Sequence, residues 1–89
     1  MIKNSFYTSK FKKDFDRIKT QGKDVIKLKI LLNKIQSGIP LDVQNKDHAL
    51  KGNWTGYREC HIEPDWLLIY KTTDDTVSFV RTGSHSELF

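Results

Sequence analysis

The residues able to do chemistry in this chain fall into two stretches, His48 to Trp66 and Arg81 to Phe89. Between them they contain all three histidines, His48, His61 and His85, with Asp65, Arg58, Arg81 and both tryptophans, Trp54 and Trp66. Imidazole exchanges protons near neutral pH, so a cluster of histidines can supply both a proton acceptor and a proton donor. On a small basic protein this combination points to acid–base chemistry on a phosphodiester. Cleavage of RNA without a metal needs three parts. A base takes the ribose 2′-hydroxyl proton, a cation steadies the charge growing on the phosphate, and an acid protonates the leaving 5′-oxygen. Histidine suits either proton-transfer role, and the planar fork of arginine suits the phosphate.

Duller assignments compete for the same residues. A surface histidine is most often merely solvated. Three histidine nitrogens could also bind zinc, but spacings of 13 and 24 residues match no compact metal motif. Trp66 follows Asp65 at the start of a strand and is the better of the two tryptophans to stack on a nucleobase. Cys60 falls at an inward position among apolar residues, which argues against a nucleophile.

These groups must be positioned by elements that the pattern also predicts. Eighty-nine residues make a single domain, 1–89. With 37% hydrophobic residues the chain can fold, and no apolar run approaches the ~20 residues of a membrane span. One cysteine excludes an internal disulfide, and no apolar leader follows Met1, so a cytoplasmic location is the expectation. Ile2 to Thr8 reads as a short strand and Ser9 as a helix cap. Phe11, Phe15 and Ile18 mark the buried face of the first helix, leaving Lys10, Lys12, Lys13, Asp14 and Arg17 outside. Asp24 caps a second helix with Leu28, Leu31, Leu32 and Ile35 as its stripe, closed by Gly38 and Pro40.

Leu41 to Thr55 reads as an ordered loop. Three strands follow, from Tyr57, over Trp66–Tyr70 and over Thr76–Arg81, with His61 facing away from the core. His85 lies beyond them in a Gly-Ser-His-Ser segment of expected flexibility. The order β-α-α-β-β-β predicts an α+β fold with a helical hairpin packed on a mostly antiparallel sheet. Charge is uneven: residues 1–36 carry +7 and residues 37–89 carry −3. The basic segment suits phosphates or an acidic partner.

The runs Lys46 to Gly52, Trp54 to Arg58, His61 to Tyr70 and Arg81 to His85 resemble the YafQ branch of the RelE/ParE toxin superfamily. The resemblance implies a RelE-like fold and a type II toxin, an endoribonuclease that cuts mRNA in the ribosomal A site and needs no cofactor or metal. It implies 2′,3′-cyclic phosphate and 5′-hydroxyl products. By position it makes His85 the general acid and His48, His61 and Asp65 the other catalytic polar residues, any of which could be the base. It places Arg81 beside the scissile phosphate, with Trp66 and Phe89 contacting substrate. The implied partner is a ribbon-helix-helix antitoxin of DinJ/RelB type, whose complex with the toxin binds operator DNA; no membrane is involved. The same superfamily hosts ParE-like poisons of topoisomerase, and the three histidines favour the nuclease.

Overall fold

The computed structural model describes residues 4–89; the expected strand residue Ile2 lies outside them. Strand β1 (Asn4–Tyr7) leads into α1 (Ser9–Thr20) and α2 (Val25–Ser37). After a long connection come β2 (His48–Ala49), β3 (Arg58–Glu63), β4 (Trp66–Thr72), β5 (Thr76–Gly83) and a terminal turn of helix, α3 (His85–Leu88). The sheet order is β1-β5-β4-β3-β2, with β1 parallel to β5 and the other pairs antiparallel. The α+β expectation holds, with one strand more than the sequence pattern showed.

That extra strand is β2. Its two residues cannot display an alternating pattern, and they pair with β3 inside the segment read as a loop. The same segment contains two short 3₁₀ turns, Val43–Asn45 and Gly52–Trp54.

Helix boundaries follow from their caps. Thr8, not Ser9, caps α1: its hydroxyl accepts from the Phe11 N–H and donates to the Val80 carbonyl, tying the helix start to β5. Asp24 caps α2 as expected, and Gly38 closes it at φ 73°, the left-handed conformation that costs glycine little.

Both long helices lay their apolar residues on one face of the sheet. Phe11, Ile18, Leu28, Leu31, Leu32 and Ile35 meet Cys60, Trp66, Leu68, Tyr70, Val77 and Phe79 there. On the opposite face a smaller cluster of Leu67, Ile69 and Leu88 is flanked by Leu50, Trp54, Tyr57 and Val80. β4 is therefore apolar on both sides, as a central strand must be.

Asp14 departs from its expected place on the solvent side of α1. It is 2% exposed and buried against β5. Strand β1 ends at Tyr7, so the last residues of β5 lack a neighbouring strand on that side. Side chains of α1 take its place: the Thr82 N–H donates to Asp14 Oδ2, and Arg17 Nη2 donates to the Thr82 carbonyl. An edge that would otherwise bury unpaired backbone groups is satisfied by an acid and a base three residues apart on one helix.

Candidate active site

Alternation along β3 sends Arg58, Cys60 and Ile62 to the helix side and Glu59 and His61 to the other face. The register of β2 then decides the site. His48 stands directly opposite Glu59, so both side chains project from the same face. On the other side of β3, His61 is paired with Leu67, and Leu67 with Gly83 at the end of β5. Two residues past Gly83, α3 begins at His85. All three histidines thus reach one face of the sheet across four strands.

Their geometry is specific. His48 Nδ1 lies 2.6 Å from the Lys46 carbonyl and His61 Nδ1 lies 3.1 Å from the Pro64 carbonyl. A carbonyl oxygen accepts only, so both Nδ1 atoms carry protons and both Nε2 atoms point elsewhere. They point at one carboxylate: Glu59 Oε1 is 3.6 Å from each Nε2. Glu59 is 5% exposed. Strand parity puts Glu59 on the face of His61, but sequence alone gives it no role until the register brings His48 opposite.

His85 approaches from the other side, its ring centroid 6.0 Å from that of His61. Asp65 Oδ1 accepts both the His85 backbone N–H, at 3.0 Å, and Nδ1–H, at 3.2 Å. Those hydrogen bonds, the backbone one first, hold the Asp65 carboxyl below its usual range. Asp65 orients His85, whose Nε2 makes no hydrogen bond to the described residues. The segment is not the loose tail expected: Ser84 and Glu87 form a reciprocal capping box that fixes the first turn of α3.

One expected substrate contact needs revision. Trp66 is 1% exposed; its ring packs in the helix-side core, its indole N–H donates to Thr82 Oγ1, and Lys23 Nζ lies 5.5 Å from its ring centroid. An apolar ring at the head of a central strand is worth more to the core than to the surface, so Trp66 offers no stacking face. Phe89 does: it is 56% exposed, 6.2 Å from the His85 ring and edge-on to Trp54 at 5.8 Å.

Arg81 is tied to Asp14 through Nε at 2.7 Å and Nη2 at 3.2 Å. Its Nη1 makes no hydrogen bond to the described residues, so the guanidinium is held rigidly with one nitrogen uncommitted. Burial pushes the Asp14 carboxyl up, but donors from Arg81, the Thr82 N–H and Arg17 outweigh it and bring the group below its usual range.

A cleft of about 390 Å³ adjoins His61, lined by Lys27, Gln44, Asn45, Lys46 and Pro64 among others. Among the described residues no group of three or more His, Cys, Asp or Glu side chains is arranged to hold a metal ion. Burial pushes the Cys60 thiol up to about 12. The native protein should therefore resist alkylation at neutral pH and react fully once unfolded; rapid labelling of the native state by iodoacetamide would show Cys60 to be reachable.

The arrangement combines a carboxylate shared by two histidines with a third histidine oriented by its own carboxylate. Comparisons with known proteins give the class first: residues 3–89 match the family described as the bacterial toxin of type II toxin-antitoxin system, YafQ. The mRNA interferase toxin YafQ of Escherichia coli K12 is 46% identical over 84 residues, 93% of this chain and 91% of that protein. The crystal structure of YafQ from E. coli BL21(DE3) superposes with a TM-score of 0.94 at 42% identity, covering 98% of both chains. The toxin in the E. coli DinJ-YafQ toxin-antitoxin complex superposes at 0.93, 42% identical, covering 100% of this chain and 99% of that one. This chain belongs to the YafQ family of type II toxins.

Proposed function

We propose that the protein is an endoribonuclease that cleaves messenger RNA in the ribosomal A site and is neutralised by a ribbon-helix-helix antitoxin. The observation that carries this reading is the convergence of His48, His61 and His85 on one sheet face, each held by its own hydrogen bond, with Glu59 Oε1 3.6 Å from two of them. It is supported by the mRNA interferase name of the E. coli relative and by that relative's solved complex with DinJ.

In this mechanism the 2′-hydroxyl loses its proton to the His48–Glu59–His61 group. Glu59 Oε1, 3.6 Å from both Nε2 atoms, completes the group that takes up the proton. The oxygen attacks the adjacent phosphorus, giving a 2′,3′-cyclic phosphate. His85 Nε2, opposite and kept in orientation by Asp65, delivers a proton to the departing 5′-oxygen. Asp65 is thereby an orienting group and leaves the base role that sequence alone allowed it. The uncommitted Nη1 of Arg81 faces the charge on the phosphate, with the rest of its guanidinium immobilised on Asp14 so that little reorganisation accompanies the reaction. Phe89 supplies the stacking surface.

Few groups are involved, and positioning of the RNA by the ribosome supplies the remainder. The lysines of α1 and α2 contribute the positive charge for ribosomal RNA or an acidic antitoxin segment, and the toxin–antitoxin complex binds operator DNA. Among the described residues no helix is long and apolar enough to cross a membrane.

Phe89→Ala should weaken RNA cleavage roughly 5- to 150-fold, as loss of one base–aromatic stack costs ~1–3 kcal/mol, and Phe89→Trp should restore it. Equal rates for all three forms in a translating extract would remove Phe89 from the site. The nuclease reading itself is tested by incubating the purified chain with programmed ribosomes and labelling the products with polynucleotide kinase. Fragments labelled without prior dephosphorylation are expected, reporting 5′-hydroxyls. Fragments that need dephosphorylation first would refute the 2′-hydroxyl route, and equal cutting of free RNA would refute the ribosome's role.

A further inference from the structure

His48 is carried by the weakest element of the sheet. β2 has two residues, both exposed, and lies at the sheet edge with a partner on one side only. A ladder so short does not hold a side chain in register unaided. Its neighbour Asp47 supplies what the ladder lacks. Alternation sends Asp47 to the opposite face from His48. There Asp47 Oδ1 accepts the Tyr70 hydroxyl at 2.6 Å and Arg58 Nε at 3.3 Å, and Oδ2 accepts Arg58 Nη2 at 3.3 Å. Tyr70 is a buried residue of the central strand β4, and Arg58 lies between Ala49 and Tyr70 in the ladder. Burial, with the neighbouring Asp47 carboxylate, pushes the Tyr70 hydroxyl above its ordinary value, so it stays a donor.

Two further constraints act on the same loop. Lys46 takes the left-handed conformation, φ 50°, at a cost a non-glycine residue does not ordinarily meet. Its carbonyl is the group that receives His48 Nδ1–H. Asn45 Nδ2 donates to the His61 carbonyl at 2.8 Å, fastening the loop to β3.

We propose that Asp47, clamped by Tyr70 and Arg58, is a positioning residue that sets the register and ring orientation of His48 so that its Nε2 meets Glu59. In its kinetic consequence this rests on the nuclease reading above; in its structural consequence it stands apart from it.

The test compares Asp47→Ala and Tyr70→Phe with the unaltered chain in three measurements: nitrogen-15 spectra of the histidine rings, melting temperature, and mRNA cleavage on ribosomes. Tyr70→Phe removes one oxygen atom and serves if Asp47→Ala folds poorly. In both variants the His48 ring signals should lose their single-tautomer pattern while those of His85 stay put. Cleavage should fall by up to about 10²-fold, the scale of an ångström-sized misplacement of a catalytic group. Placed in a His48→Ala background, either change should cause no further loss of cleavage, since the residue it positions is gone. Unchanged His48 signals would overturn the proposal. So would a loss of equal size in the His48→Ala background, which is what a merely structural role produces. If the unaltered chain cuts no RNA, the nuclease reading falls and the ring spectra alone decide the role of Asp47.

Discussion

A His85→Gln chain is expected to keep its fold and lose RNA cleavage by about 10²–10⁴-fold, the range a positioned proton donor contributes. The fold should survive because the His85 side chain is 57% exposed and its polar contact is to Asp65, itself at the surface. The capping box that holds α3 uses Ser84 and Glu87, not the imidazole. Glutamine approximates the length of histidine and can still donate to Asp65, but it has no proton to release to a leaving oxygen. The effect should therefore appear in turnover rather than in ribosome affinity. Circular dichroism and a melting curve matching those of the unaltered chain, together with a cleavage time course, check the two halves separately. Undiminished cleavage by a folded variant would take His85 out of the mechanism.

Asp14→Ala should cause the largest loss of stability of any single polar change in the molecule. Its carboxylate accepts from Arg81, Arg17 and the Thr82 N–H, so removing it leaves the Arg81 guanidinium and a buried backbone donor without their acceptor, while Arg17 keeps the Thr82 carbonyl and Glu87. Breaking one side of a buried ion pair costs ~3–5 kcal/mol. For a domain of this size each kcal/mol lowers the melting midpoint by ~4–8 °C. The pH dependence follows from the direction of the shift. Asp14 is held below its ordinary value, so its contribution is full above the unfolded carboxylate's value of ~3.9 and is lost as pH falls through the lower folded value. The stability gap between the two chains should be constant near neutrality and close in acid. A gap that persists unchanged in acid would mean that the ionised carboxylate is not what stabilises this edge. Because Arg81 is anchored by the same carboxylate, the variant should also cut RNA more slowly where it remains folded.

Much of the fold and part of the site are legible in the sequence. The apolar stripes of α1 and α2, the Asp24 and Gly38 caps and the buried strand β4 follow from period and turn chemistry, and each is where the pattern put it. The outward parity of His61 was equally readable from Arg58 to Ile62. Apart from the Thr8 cap and the Ser84–Glu87 capping box, which are local, the differences share one cause: contacts distant in sequence. Asp14 looked solvated because a charged residue on a helix usually is, and nothing local reveals that β5 lacks a neighbour at Thr82. Trp66 looked like a stacking platform because it follows a turn, yet the Thr82 hydroxyl that receives its indole N–H is 16 residues away. The pairing of His48 with Glu59 needs a two-residue strand that no periodicity can show. Glu59 shares the His61 face by parity alone, but its place between two imidazoles comes from the β2 register.

If the histidine face is a ribonuclease site, its cuts must appear in cellular messenger RNA. Inducing the unaltered chain and His85→Gln in bacteria, with sequencing of mRNA 5′-ends that carry a hydroxyl, tests it most directly. New ends within open reading frames, appearing with the unaltered chain and absent with His85→Gln, are the predicted result. Growth arrest with intact messenger RNA, or the same ends from both chains, would contradict it.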